Sequence, residues 1–382
     1  MTRRRRSGRG LVSVLVAVAA TAVMVGAVSA PSSGTAPAGV TLVDDPAAYV
    51  NPMIGTALSD DTFPGADAPF GMVQWSPDTS PVRPSGGGYG YHDPLISGFS
   101  LTHLSGPGCA AAGDIPILPT VGPIESGSRS TPMPLEPYSH TTETAGAGYY
   151  SVDVGEPSVK TELTVTTRSG LARLTYPTTS EANVLVDLGG SAMKVSDAGG
   201  TVVGDDEIEG WATVGGPGNG FCGLNDSYTV YFWLQFSRPF AAFGTWDGKS
   251  VSSGARQAAG PASGLFATFA TAPGSPTVLV KAGISYVSEA NAELNASTED
   301  PGWNFDAVRA ATYGQWNALL SRVDVGGGTT EDSTVFYTAL YHSLLHPNVF
   351  SDVNGQYMGF DGHVHTVDPG HAQYANFSGW DI

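Results

Sequence analysis

The chain has 382 residues, of which 41% are hydrophobic and only 14% charged. That length bounds it to one large domain or two, with enough apolar residues for a core. Its 35 acidic residues outnumber 17 basic ones, for a net charge of −18. Such a balance repels nucleic acid and anionic membranes, which leaves neutral ligands or cations as partners.

Arg3, Arg4, Arg5, Arg6 and Arg9 form a basic head, an apolar run from Leu11 to Val28 follows, and small residues lead to Ala30. This order reads as an export signal over residues 1–30. A permanent anchor is disfavoured because Ala and Gly dilute the run, so no stable membrane insertion is expected after cleavage. The predicted location is secreted, extracellular. Loss of those five arginines leaves 12 basic against 35 acidic residues, a net of −23. Residues 31–46 are a Pro/Ala/Ser/Gly tether.

From residue 47 to 287 the pattern predicts a mainly β domain. Thr161, Leu163 and Val165 alternate with Glu162 and Thr164, Ser169-Gly170 turns, and Leu171 to Tyr176 continues as a strand. Tyr228, Val230, Phe232, Leu234 and Phe236 alternate over nine residues, which buries one face and wets the other. Asn183–Leu188 and Thr277–Val287 are further strands. With 50 glycines and 27 prolines to make the links, these strands imply a sandwich.

After Ser288 the period changes. Residues 288–325 read as a helical linker, with Val308, Thr312, Trp316, Leu319 and Leu320 at helical spacing over Asp306–Val323. Phe336, Leu340 and Leu344 repeat every four residues, flanked by Tyr337, Tyr341 and Leu345, and predict the apolar stripe of a helix. Glu331 and Asp332 suit its N-terminus and Pro347 stops it. A hairpin is predicted next, with turns at Asn354-Gly355 and Asp361-Gly362. Asp352-x-Asn354-x-Gln356 resembles a calcium loop only faintly, because it lacks the glycine and distal glutamate. The closing run Gly379-Trp380-Asp381-Ile382 is hydrophobic and aromatic, which reads as a truncated domain.

Cys109 and Cys222 would enter an oxidising compartment, where they form a disulfide or remain two buried thiols. Between Tyr49 and Thr120 the loops are long and dense in Gly, Pro, His, Asp and aromatics. That mixture suits a sugar: carboxylates and amides bind hydroxyl pairs, and aromatic faces stack on the ring.

The motifs Asn51-Pro52-Met53-Ile54-Gly55-Thr56, Thr62-Phe63-Pro64-Gly65-Ala66 and Pro69-Phe70-Gly71-Met72-Val73-Gln74-Trp75 occur in this order. Gly98 to Cys109, Gly113-Asp114, Tyr341 to Asn348 and Asn376 to Asp381 follow. Together they resemble glycoside hydrolase family 92, the calcium-dependent exo-α-mannosidases, from about residue 47 to the end. The resemblance implies a galactose-mutarotase-like β-sandwich at 47–287 and the start of an (α/α)6 catalytic domain at 326–382. It implies removal of terminal α-mannose from N-glycans or mannans with inversion, so mannose-containing glycans are the expected partners. It implies Ca2+ as cofactor. The family's acid, base and calcium ligands lie later than this chain extends, so no catalytic residue and no metal ligand is assigned here.

Substrate binding is what these residues can inherit. Asp381 matches the Gly-Trp-Asp motif whose carboxylate binds hydroxyls of the terminal mannose; a helix-start Asp is the plainer alternative. Thr62, Phe63, Tyr89 and His103 are candidates for the pocket rim, against simple loop packing. The stretch Arg83-Pro84-Ser85-Gly86-Gly87-Gly88 lacks the aromatic residues that hold a second sugar in 1,2-specific members. The rival reading is a stand-alone carbohydrate-binding β-sandwich without catalysis.

Overall fold

The computed structural model describes residues 40–379, apart from 58–60, 81–84, 125 and 127–132. The expected export signal, most of the tether, Arg83-Pro84, Trp380 and Asp381 lie outside the described residues.

Strands dominate from Ala66 to Ser285 and form two nine-stranded antiparallel sheets. One sheet has Gln74–Ser80, Leu95–Ser100, Ile117–Val121, Thr179–Asp187 and Ser263–Thr271 at its centre. The other centres on Glu207–Gly215, Ser227–Phe236, Thr277–Ser285, Ser169–Thr175 and Val159–Val165. One apolar cluster fills the space between them, including Trp75, Phe99, Tyr150, Phe232 and Phe269. This is the predicted sandwich, and the molecule is mainly β.

Val230, Phe232, Leu234 and Phe236 all point into that core, as their alternation predicts. The opposite face is partly exposed at Thr229, Tyr231 and Gln235 and covered at one position. Trp233 is 4% exposed because helix α1 (Glu289–Glu299) lies over it and packs Ala292 and Ala296 against the ring. Gly283 permits this approach, since the Ala292 carbonyl oxygen occupies the place a Cβ would take. The predicted turn at Ser169-Gly170 also shifts. Both residues pair within the sheet, opposite Gly283 and Ala282, and the chain reverses at Thr166–Ser169 instead.

Two further helices follow. Helix α2 (Phe305–Leu320) starts at Asn304, whose side chain accepts from the Ala307 amide. Thr312 donates to the Val165 carbonyl at 2.5 Å, and Trp316 donates from Nε1 to the Asp67 carbonyl at 2.7 Å. Helix α3 (Thr330–Ser343) opens on a capping box between Thr329 and Asp332, with Glu331 and Asp332 in its first turn as expected. The broad stripe predicted for α3 is buried on the flank that carries the tyrosines. Tyr337, Tyr341 and Leu345 are buried, whereas Phe336 is 37% exposed. The cause is α2: the Trp316 ring lies 4.4 Å from that of Tyr341, so the tyrosine face has the partner.

The predicted hairpin pairs Gln356–Met358 with Val364–Thr366, and both predicted turns are present. Asp352, just before it, is 2% exposed and accepts from Ser285, Asn291 and Asn295 at 2.7–2.8 Å. Alongside, Arg168 pairs with Glu299 at 2.6 Å and donates to the Ser351 carbonyl. These bonds join the last sandwich strand, α1 and the hairpin into one polar junction.

Candidate functional site

Part of the segment between Tyr49 and Thr120, including Gln74, Thr102 to Leu104 and Ala112, faces the hairpin residues Met358 and Gly359. There a cavity of about 530 Å³ is bordered by Gln74, Thr102, His103, Tyr228, Phe350 and Phe377, among others. Rings from Phe221, Tyr231 and Tyr286 add to an aromatic lining, and Asp226 supplies a carboxylate. The Tyr286 ring stacks on that of Phe350 at 4.6 Å.

Two buried carboxylates organise the residues behind this lining. Asp114 accepts from Tyr228 (2.6 Å), Ser191 (2.7 Å) and Thr102 (2.8 Å). Burial pushes its carboxyl above the ordinary range, and the three hydroxyls pull the other way. Burial, with Asp114 beside it, pushes the Tyr228 phenol well up, so it stays a donor. The second is Glu143. It accepts from Tyr89 at 3.0 Å, Tyr150 at 2.5 Å and His140 at 2.6 Å, and so pins the loop that carries Gly88 and Tyr89.

Of the four predicted rim residues, His103 borders the cavity. Its ring is wholly buried, with Nδ1 at 2.9 Å from the Gln74 carbonyl and Nε2 at 3.1 Å from Asp78 Oδ1. Asp78 is held in turn by the Ser100 hydroxyl. Phe63 lies beside His103, ring centroids 5.5 Å apart, in the apolar cluster with Trp316. Tyr89 is fully buried and its hydroxyl is committed to Glu143. Thr62 is 8% exposed and donates to the Ile54 carbonyl at 3.4 Å. Thr62 and Tyr89 therefore support the loops from behind rather than face this cavity. Cys109 and Cys222 are bonded to each other, their Cα atoms 5.1 Å apart.

Sequence reasoning missed Asp114 and Glu143 as hubs. Asp114 stood inside a matching motif, but its partner Tyr228 is 114 residues away. Nothing in the sequence singles out Glu143.

A calcium ion does not fit the described residues. Among them no three His, Cys, Asp or Glu side chains gather as metal ligands. At Asp352-x-Asn354-x-Gln356 the oxygens are occupied: the Asp352 carboxylate and Gln356 Oε1 accept from Asn291, and Asn354 Oδ1 accepts from the Gln356 amide.

Comparison with known proteins places these features. The model described as "Glycosyl hydrolase family 92 N-terminal domain" matches residues 49–285, and "Glycosyl hydrolase family 92 catalytic domain" matches residues 291–382. A family GH92 α-mannosidase from Bacteroides thetaiotaomicron is similar in structure, with a TM-score of 0.78 and 31% identity. The alignment covers 86% of this chain and 45% of that one, and the same protein is known in complex with mannoimidazole. A family GH92 inverting mannosidase from the same organism gives 0.74 and 26%, covering 87% and 44%. An uncharacterized secreted glycosidase of Arthroderma benhamiae is 26% identical over 335 residues, 80% of this chain and 42% of that protein. The chain thus spans less than half the length of these relatives.

Proposed function

The chain belongs to glycosyl hydrolase family 92, and we propose that it forms the N-terminal part of a secreted exo-α-mannosidase that releases terminal α-mannose from N-glycans or mannans with inversion. The observation that carries this reading is the origin of the cavity. Gln74, His103 and Tyr228 come from the segment matched by the N-terminal domain, and Phe350, Met358 and Phe377 from the segment matched by the catalytic domain. Its lining of aromatic rings with a few hydroxyl, amide and carboxylate groups has the chemistry of a sugar site.

An inverting hydrolase needs two carboxyl groups, one to protonate the leaving oxygen and one to activate water on the opposite face of the ring, about 6.5–9.5 Å apart. Asp226 is the one carboxylate among the described residues bordering the cavity. We therefore assign these residues to binding and orientation. The acid, the base and the calcium ligands are sought in the part of the relatives that has no counterpart here. The lone carboxylate also favours a second reading, a carbohydrate-binding sandwich without catalysis; the catalytic-domain match over 291–382 argues against it.

The test is hydrolysis of an aryl α-mannoside by the complete polypeptide, with and without a calcium chelator, following the anomer of released mannose by NMR. Calcium-dependent release of β-mannose as first product is expected. A complete polypeptide that binds mannosides and never cleaves them would establish the binding-module reading.

A further inference from the structure

The segment from Gly216 to Asp226 joins two long strands, Glu207–Gly215 and Ser227–Phe236. Many of its hydrogen bonds close on itself. The Gly216 amide donates to the Asp226 carbonyl at 2.8 Å, Gly220 to Leu224 at 2.9 Å, and Phe221 to Asp226 Oδ1 at 3.0 Å. Its tip stands in solvent, with Leu224 60% exposed. Across to the facing loop run the Cys222 amide, donating to the Ala110 carbonyl at 3.0 Å, and the Cys109–Cys222 bond, which links residues 113 apart. Directly behind that bond, Phe221 packs with Leu104, Ala111, Ala112 and Phe377. Phe221, Leu104, Ala112 and Phe377 all border the cavity.

A cross-link that closes so long a loop would ordinarily read as a staple for the whole fold. Its position argues otherwise. The strands on either side of the loop are already joined by an unbroken ladder from Glu207–Gln235 to Gly215–Ser227, and the inter-sheet core lies behind them. Cutting the bond leaves that ladder whole and frees the two loops it joins, the segment that carries Phe221 and the facing loop that carries Cys109. We infer that the Cys109–Cys222 cross-link is a clamp on the cavity wall: it holds Phe221 against Leu104 and Ala112, and thereby fixes the width of the site. This goes beyond the mannosidase reading and stands on loop geometry alone.

Cys222 lies on the exposed tip, within reach of a small dithiol. Exchange runs in two steps. A thiolate of the reductant attacks one cysteine sulfur, forming a mixed disulfide and expelling the other cysteine, which takes up a proton; the reductant's second thiolate then attacks its own bonded sulfur and expels the remaining cysteine. The protein gains two thiols, and the dithiol leaves as a cyclic disulfide. The wall is freed while the sheets stay folded.

Hydrogen–deuterium exchange on the 382-residue chain tests this, comparing the oxidised protein, protein reduced with dithiothreitol and alkylated under native conditions, and Cys109→Ser/Cys222→Ser. The clamp predicts exchange about tenfold faster or more at 102–115 and 216–226, with Thr179–Asp187 and Thr277–Ser285, one strand from each sheet, unchanged. Equal acceleration in both sheets would make the bond a global staple and overturn the inference. No change in the two loops would overturn it as well. If the double variant does not fold, the reduced and alkylated protein gives the same readout.

Discussion

His103 and Asp78 face each other across 3.1 Å with the histidine ring wholly buried, and Gly88 closes over the pair. A Cβ on Gly88 would sit 2.5 Å from Asp78 Oδ1 and 3.2 Å from the imidazole, and its φ of +67° is a conformation other residues avoid. Gly88 therefore has a packing role: it lets the loop lie flat on the His103–Asp78 pair, while Gly86 lies against Pro107 and Leu104. Gly88→Ala should lower stability by about 1–3 kcal/mol, through backbone strain and displacement of Asp78. Urea unfolding checks it; a midpoint equal to wild type would mean that the loop lifts away at no cost.

Asp352 should matter for the junction rather than for chemistry. Its removal in Asp352→Ala leaves Ser285, Asn291 and Asn295 without their acceptor, at a cost of about 2–4 kcal/mol. Exchange should accelerate first in α1 and in the hairpin that follows Asp352. Faster exchange in the Ser227–Phe236 strand with α1 unaffected would contradict this view of how the helices are attached.

The sandwich was legible in the sequence because half-buried strands must alternate, and Val230 to Phe236 do so cleanly. The covered side of the same strand was not, since Trp233 reads as any outward aromatic until α1 is seen above it. Which side of the broad α3 stripe is buried was not legible either, for a similar reason. Phe336 and Tyr337 are both apolar enough to be buried, and Trp316, some twenty residues earlier, decides between them. The site was legible as a region and not as a geometry. His103 was a rim candidate and borders the cavity, but that cavity joins Gln74 to Phe377, a long-range relation that no local motif encodes.

Acid sensitivity should trace to Glu162. Its side chain is 6% exposed, and Arg173 grips both oxygens at 2.8 Å while Tyr149 donates at 2.9 Å. Burial alone would raise its carboxyl; Arg173 and Tyr149 outweigh it and hold the pKa at about 2, below the reference 4.5. The folded state thus releases the proton more readily than the unfolded one. The resulting stability is fully present above about pH 4.5 and is lost as pH falls towards 2. After solvent screening it amounts to about 1–2 kcal/mol. Glu162→Gln should be less stable at pH 6 and lose less on acidification. Denaturation midpoints from pH 6 down to 2 decide it, and parallel curves for the two proteins would remove Glu162 as the source.

Asp381 is proposed to bind substrate and not to transfer protons, on the strength of the Gly379-Trp380-Asp381 motif. A carboxylate that accepts hydroxyl hydrogen bonds from a sugar in a largely dry site contributes roughly 1.5–3 kcal/mol. In the complete polypeptide, Asp381→Ala should lower kcat/KM by about ten- to several-hundredfold, with little movement of the pH optimum. Asp381→Asn should be milder, because an amide oxygen still accepts. The measurement is a pH–rate profile for wild type and both variants on an aryl α-mannoside. An unchanged kcat/KM in Asp381→Ala would make the residue a helix cap. Loss of one limb of the profile would make it the acid or the base, since only a group that titrates in the reaction removes a limb.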